Sequence, residues 1–247
     1  MNEPQSLNAE MRQRYDHFFD LNAVARVLKR QPQYKKLAGL IEAANGASSC
    51  KTDLDHALKR LQLIAVVGDD LGSLARTPDE GIETIIHSLF VSALILYVRA
   101  LHSSTRNRSK VPPVAYDEAD QAMHKELVAL RNDVVAHFGP GDTLRDGEWA
   151  RDDLTLMISD KELYIHPSWQ RANYKANLLM GLQRVLPKAI EHVDAVREKR
   201  QRELWQSLSE RWDADDRVFF GILAKYRLSY PPELDDTTTI VPSADPW

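Results

Sequence analysis

The segment from Ile85 to Leu101 restricts the fold of this chain more than any other. Ile85, Leu89, Val91, Leu94, Ile95, Val98 and Leu101 surround most of one helix, so the helix belongs at the centre of a bundle. A bilayer span needs roughly 20 mostly apolar residues. This run is shorter and is interrupted by His87, Ser88, Ser92 and Arg99, so a core helix is expected and no membrane. Thr77 as N-cap, Pro78 at the first helical position and Glu80 three residues after the cap mark its start.

Periodicity places the other elements. From about Ala9 to Leu28, a stripe of Met11, Tyr15, Phe18, Phe19, Leu21 and Val24 predicts one helix. Tyr34 to Ala44 predicts a second, stopped at Asn45-Gly46, and Thr52 a cap for a third that carries Leu54, Leu58, Leu61, Ile64 and Ala65 and ends at Gly68 and Gly72. After the Pro112-Pro113 break a helix is expected from Asp117 to His137. The period then shortens to two. Leu154–Ile158 and Leu163–His166, around Asp160-Lys161-Glu162, predict a β-hairpin. Helix is expected again from Ser168 to Trp212, with a kink near Pro187, and then from Asp216 to Tyr226. The expected architecture is an all-α helical bundle with one small β-hairpin insertion near 153–166. Residues 1–75 form N-terminal helices packing on the bundle, 76–228 the bundle itself, and 229–247 a flexible C-terminal tail.

Bulk properties exclude some functions. The chain has 247 residues, 43% hydrophobic and 28% charged, enough for a sizeable core. A formal net charge of -4 argues against general electrostatic binding of nucleic acid, while leaving room for a local basic site. The single cysteine, Cys50, cannot pair within the chain, and the N-terminal sequence has no apolar signal core. A cytoplasmic protein is expected. No spacing of Cys, His or Asp suits zinc and no Gly-rich phosphate loop occurs, so no metal and no cofactor is expected.

The stretch that carries chemistry is Arg131-Asn132-Asp133-Val134-Val135-Ala136-His137, closed by Phe138-Gly139-Pro140-Gly141. It sets a permanent cation and a titratable imidazole at a helix end, where the dipole favours the charged ring. Met123, Leu127, Leu130 and Val134 make the core stripe of that helix. Arg131 and His137 flank the stripe, about 120° apart on an ideal helix. Contact between them then needs a frayed last turn or a second chain. Asp133 and His137, four apart, can meet on the surface, where the carboxylate would orient the ring.

Leu130 to Phe138 resembles the arginine, polar residue, short spacer and histidine of HEPN domains, all-helical modules several of which are ribonucleases in toxin–antitoxin and abortive-infection systems. The resemblance is most specific over about ten residues and is supported more loosely by the helical pattern from Thr77 to Trp212. It implies catalytic roles for three positions, beside the Asp133 that spacing sets near the ring. Arg131 would hold the scissile phosphate, His137 would serve as general acid or base, and Asn132 would match the polar residue after the arginine. It also implies RNA as substrate, a homodimer through the motif helix with a composite site, an antitoxin or other protein partner, and metal-independent attack by a 2′-hydroxyl.

Other readings stay open beside this one. A noncatalytic helical dimerisation or interaction module is favoured by the acidic charge, the hairpin and the tail. Arg131 would then pair with Glu126 or a neighbouring helix, and His137 would cap carbonyls. A bundle pocket for a nucleotide or phosphometabolite would use the same arginine. Arg99, His102, Arg106, Arg108 and Lys110 form a basic stretch after the central helix, read first as a solvated connection. Arg197, Lys199, Arg200 and Arg202, interleaved with Glu198 and Glu203, read as a solvated helix face. His124 shares a face with Arg131 and is read as a surface histidine, His87 as a hydrogen-bonded core residue. Trp205 and Trp212 are expected in packing contacts.

Overall fold

Helical periodicity governs most of the chain. A computed structural model describes residues 17–72, 80–102, 110–135, 150–158, 163–171 and 176–228. It is an all-α helical bundle with one small β-hairpin. The order is β1 (Phe18–Phe19), α1 (Leu21–Leu28), α2 (Lys35–Gly72), α3 (Glu80–His102), α4 (Glu118–Ala129), a π-helical turn (Leu130–Val135), β2 (Ala150–Ile158), β3 (Leu163–Arg171), α5 (Ala176–Asp213), α6 (Arg217–Leu223) and β4 (Arg227–Leu228).

Three elements depart from the sequence expectation, each through a contact distant in sequence or a buried stripe. The first helix starts at Leu21, because Asp20 caps it by accepting from Ala23 N at 3.0 Å. Phe18 and Phe19 instead pair antiparallel with Leu228 and Arg227. The expected stop at Asn45-Gly46 does not occur, and α2 runs through it. Ala44, Ala47, Cys50, Leu54, Ala57 and Leu61 are all buried at helical spacing, and burying that stripe outweighs the roughly 1 kcal/mol cost of an interior glycine. Thr52 is therefore no cap, and its hydroxyl donates to Ser48 O at 3.1 Å inside the helix. The strand β3 extends to Arg171, through Pro167, so the following helix begins at Ala176 rather than Ser168 and continues across Pro187. The cap residues Thr77 and Pro78 and the expected tail lie outside the described residues.

The chain divides into two compact units. The first comprises Met1–Thr52, Ser104–Pro112 and His192–Trp247. Its core joins Val24, Ala25, Leu28, Leu37, Ile41 and Phe219. Tyr34 O–H donates to Asp216 Oδ1 at 2.7 Å, and Asp216 also caps α6 by accepting from Phe219 N at 3.0 Å. Arg211 donates to the same carboxylate at 3.2 Å and lies over the Tyr34 ring. Burial pushes the Asp216 carboxyl up, but the bonds from Phe219 N–H, Tyr34 and Arg211 together hold it below the usual carboxylate range. Asp216→Ala removes the cap and orphans the phenol, so a loss of about 1–2 kcal/mol is expected in urea unfolding. Because the folded value is depressed, this contribution is present above the unfolded carboxylate value and fades as pH falls through the folded one. An Asp216→Ala protein as stable as wild type at pH 7 would contradict this.

The basic run on α5 is not a solvated face in this unit. Arg197 is buried against Asp194 at 2.7 Å, and Arg200 donates to the carbonyls of Ala43 at 3.0 Å and Lys110 at 2.7 Å. Only Lys199 and Arg202 of that run are exposed. Trp205 and Trp212 are also exposed rather than core, although Trp212 meets the Phe220 ring edge-on at 5.4 Å.

The second unit comprises Asp53–Ser103 and Pro113–Glu191. Within it Phe90, Ala93, Leu94 and Tyr97 of α3 are fully enclosed, together with Leu127, Leu130, Leu178 and Leu182. The opposite side of α3 is open: Ile85 is 50% exposed, and Leu89, Val91 and Ile95 are half-buried. The helix is thus one-sided, not surrounded. By length and composition it could cross a bilayer, but its largest side chains pack as those of a core helix. Arg99 forks onto Asp53, with Nε at 2.8 Å and Nη2 closer still, and Arg60 Nε donates to Ser92 Oγ at 2.6 Å, tying α2 to α3. The hairpin is antiparallel, with Ile158 opposite Leu163 and Ala150 opposite Arg171, and is longer at its open end than the sequence pattern indicates.

Candidate functional site

The motif helix is anchored before it reaches the motif. Asp117 caps α4 by accepting from Asp120 N at 2.9 Å. Asp120, almost wholly buried, then accepts from Arg184 Nε at 2.6 Å and from Lys188 Nζ, so the first turn of α4 is bound to α5 by charge-assisted bonds. One turn on, Gly181 of α5 lets Met123 approach so closely that a Cβ there would stand 2.2 Å from its sulfur. Leu127 and Leu130 are fully buried and complete the predicted core stripe as far as it is described.

At Leu130 the winding changes. Leu130–Val135 continues α4 as a π-helical turn, with i→i+5 hydrogen bonds, that packs against α3. Such turns are rare and are found disproportionately at functional sites. The count of 100° per residue does not carry through Leu130–Val135. Arg131 and Asn132 are both half-buried, and Arg131 Nη1 donates to Asn132 Oδ1 at 3.0 Å. The polar residue after the arginine thereby orients the guanidinium. Among the described residues no carboxylate pairs with Arg131, Glu126 included. Asp133 lies on the same turn, and His137 lies outside the described residues.

His124 is not the surface residue expected. Its ring is half-buried, with Nδ1 2.8 Å from Tyr97 Oη, and Tyr97 Oη is 3.0 Å from Tyr116 Oη. Tyr116 in turn lies 3.4 Å from the carbonyl oxygen of Val185. Burial lowers the His124 pKa, with a further push from His102, and burial raises both phenols above their ordinary value. Pattern reading missed this because its members come from α3, the segment before α4, α4 itself and α5. The only advance signal was a tyrosine and a histidine on predicted helices and a second tyrosine just before a helix cap.

The basic stretch after α3 is partly structural, since Arg99 is engaged by Asp53; Arg106 and Arg108 lie outside the described residues. His87, whose pKa burial lowers, lines an open groove of about 530 Å³ along α3 with Ser88, Val91, Ser92, Ile95, Leu96 and Arg99. Arg131 and Asn132 do not line it. Among the described residues no cluster of His, Cys, Asp or Glu suits a metal ion. No family model matches this chain, and no curated protein or solved structure matches it either.

Proposed function

We propose that this chain is a cytoplasmic HEPN-like protein that cleaves RNA without a metal, using Arg131 and His137. The observation that carries the reading is the half-buried Arg131 guanidinium on a π-helical turn, aimed by Asn132 and unmatched by any carboxylate among the described residues. A guanidinium in that condition retains N–H donors in a planar fork suited to two phosphate oxygens. In the proposed reaction a ribose 2′-oxygen bonds to the adjacent phosphorus while the bond to the 5′-oxygen breaks. One acid–base group takes the 2′-hydroxyl proton and a second protonates the leaving oxygen, with Arg131 on the charge developing at phosphorus. His137 and its copy in a second chain would fill the two proton roles. Toxin or phage-defence work and an antitoxin partner belong to this reading.

The test is cleavage of structured and unstructured RNAs in EDTA, with the product ends identified. Fragments ending in 2′,3′-cyclic phosphate are expected from wild type. A wild-type protein inert on all of them, or full activity in both folded Arg131→Ala and His137→Ala proteins, sinks the mechanism.

A second reading, a noncatalytic interaction module, is favoured by the hairpin. Leu156 and Ile165 oppose one another in its ladder and are 56% and 58% exposed. A two-stranded hairpin is at best marginally stable in water, so its apolar pair invites a covering surface. Leu156→Glu with Ile165→Glu is expected to leave the melting temperature within about 2 °C, since both side chains already face solvent. Loss of self-association by light scattering in that double variant would favour the module, whereas an unchanged mass with intact RNA cleavage would dismiss it.

A further inference from the structure

The proposed cleavage uses no part of the Tyr97–Tyr116–His124 chain, and the geometry of that chain allows two directions of donation that leave the buried Tyr97 proton with a partner. Each phenol has one proton to give. If Tyr116 donates to Tyr97, then Tyr97 donates to His124 Nδ1, and the neutral ring keeps its proton on Nε2. If His124 Nδ1–H donates instead, Tyr97 turns to Tyr116, and Tyr116 turns to the Val185 carbonyl at 3.4 Å. A charged imidazole carries N–H on both nitrogens and permits only the second direction.

We propose that this chain is an acid-sensitive latch: a proton taken up by His124 reverses the hydrogen bonds and loosens the seat of α4 on α3 and α5. The reversed chain ends on its longest contact, beyond the usual range for a hydroxyl donor, and leaves a charge on a half-buried ring. Among the described residues no carboxylate is set against the ring to relieve that charge. From α3 the ring faces Tyr97 and feels His102, and from the segment before α4 it faces Tyr116. Asp120, on α4, acts on both phenols, but its carboxylate is already engaged by Arg184 and Lys188 of α5. Phenol-to-imidazole donation with a neutral ring is therefore the resting arrangement.

The direction of the pH effect follows. His124 in the folded protein titrates below the unfolded value near 6.5, so its contribution is complete above that value. It is lost as pH falls from there to the folded value, below which no further loss occurs. Burial shifts His87 the same way, so the two histidines must be separated by variants.

The experiment combines long-range proton–nitrogen NMR of the wild-type histidine rings from pH 8 to 5 with melting of wild type, His124→Asn and His87→Asn. At pH 8, His124 is expected to carry its proton on Nε2 with Nδ1 hydrogen-bonded. Between pH 7.5 and 5.5 the wild-type melting temperature should fall by about 2 °C or more beyond the fall in His124→Asn, and His87→Asn should retain that excess. A proton on Nδ1 at pH 8, a ring titrating at or above 6.5, or a fall in His124→Asn equal to wild type each overturns the latch. Should His124→Asn fail to fold, the wild-type tautomer and titration decide the question alone.

Discussion

Arg131→Ala is expected to reduce RNA cleavage by about 10²–10³-fold while leaving the protein folded, the loss typical of removing one donor aimed at developing oxyanion charge. The side chain is half-buried and its one partner among the described residues is the adjacent Asn132, so its truncation opens no deep cavity and strands no carboxylate there. Arg131→Lys keeps the charge but loses the planar fork, and should recover only part of the rate. Asn132→Ala frees the guanidinium to rotate and should cost less than Arg131→Ala, because the group proposed to bind phosphate remains. Cleavage kinetics beside a melting curve check all three. An Arg131→Ala protein that melts like wild type and cleaves as fast removes the arginine from the mechanism.

The largest effect on stability is expected at Phe90. It is fully buried, and Phe90→Ala should cost about 3–5 kcal/mol through lost transfer energy and a residual cavity. Ile85, on the same helix, is 50% exposed, and Ile85→Ala should cost under about 1 kcal/mol. Urea unfolding of the two variants measures how one-sided α3 is. Equal losses would mean that Ile85 is covered as deeply as Phe90, which would contradict the exposure of its outer face.

Much of the architecture was legible in periodicity. The hairpin was expected from two short β-favouring runs, and the ladder found there runs from Ile158 opposite Leu163 to Ala150 opposite Arg171. Asp117 and Asp216 stand where helix starts were expected, because a carboxylate that accepts from a nearby N–H is a local matter. Asn45-Gly46 misled because the cost of a poor helix former is small beside a continuous buried stripe on both sides of it. At the candidate site, Arg131 and Asn132 were legible as a pair, but the π-helical turn was not. A count of 100° per residue assumes the very hydrogen-bond pattern that changes at Leu130.

What belonged to the sequence by itself was the class of fold, the place of the hairpin and the helix starts capped by Asp117 and Asp216. What belonged to the tertiary structure was partnership. Arg200 reached carbonyls at Ala43 and Lys110, His124 joined two tyrosines, and only one side of α3 was enclosed. The reason is range: repeat and capping are interactions within a few residues, whereas the face that is desolvated and the group that answers a buried donor are set by segments far apart along the chain.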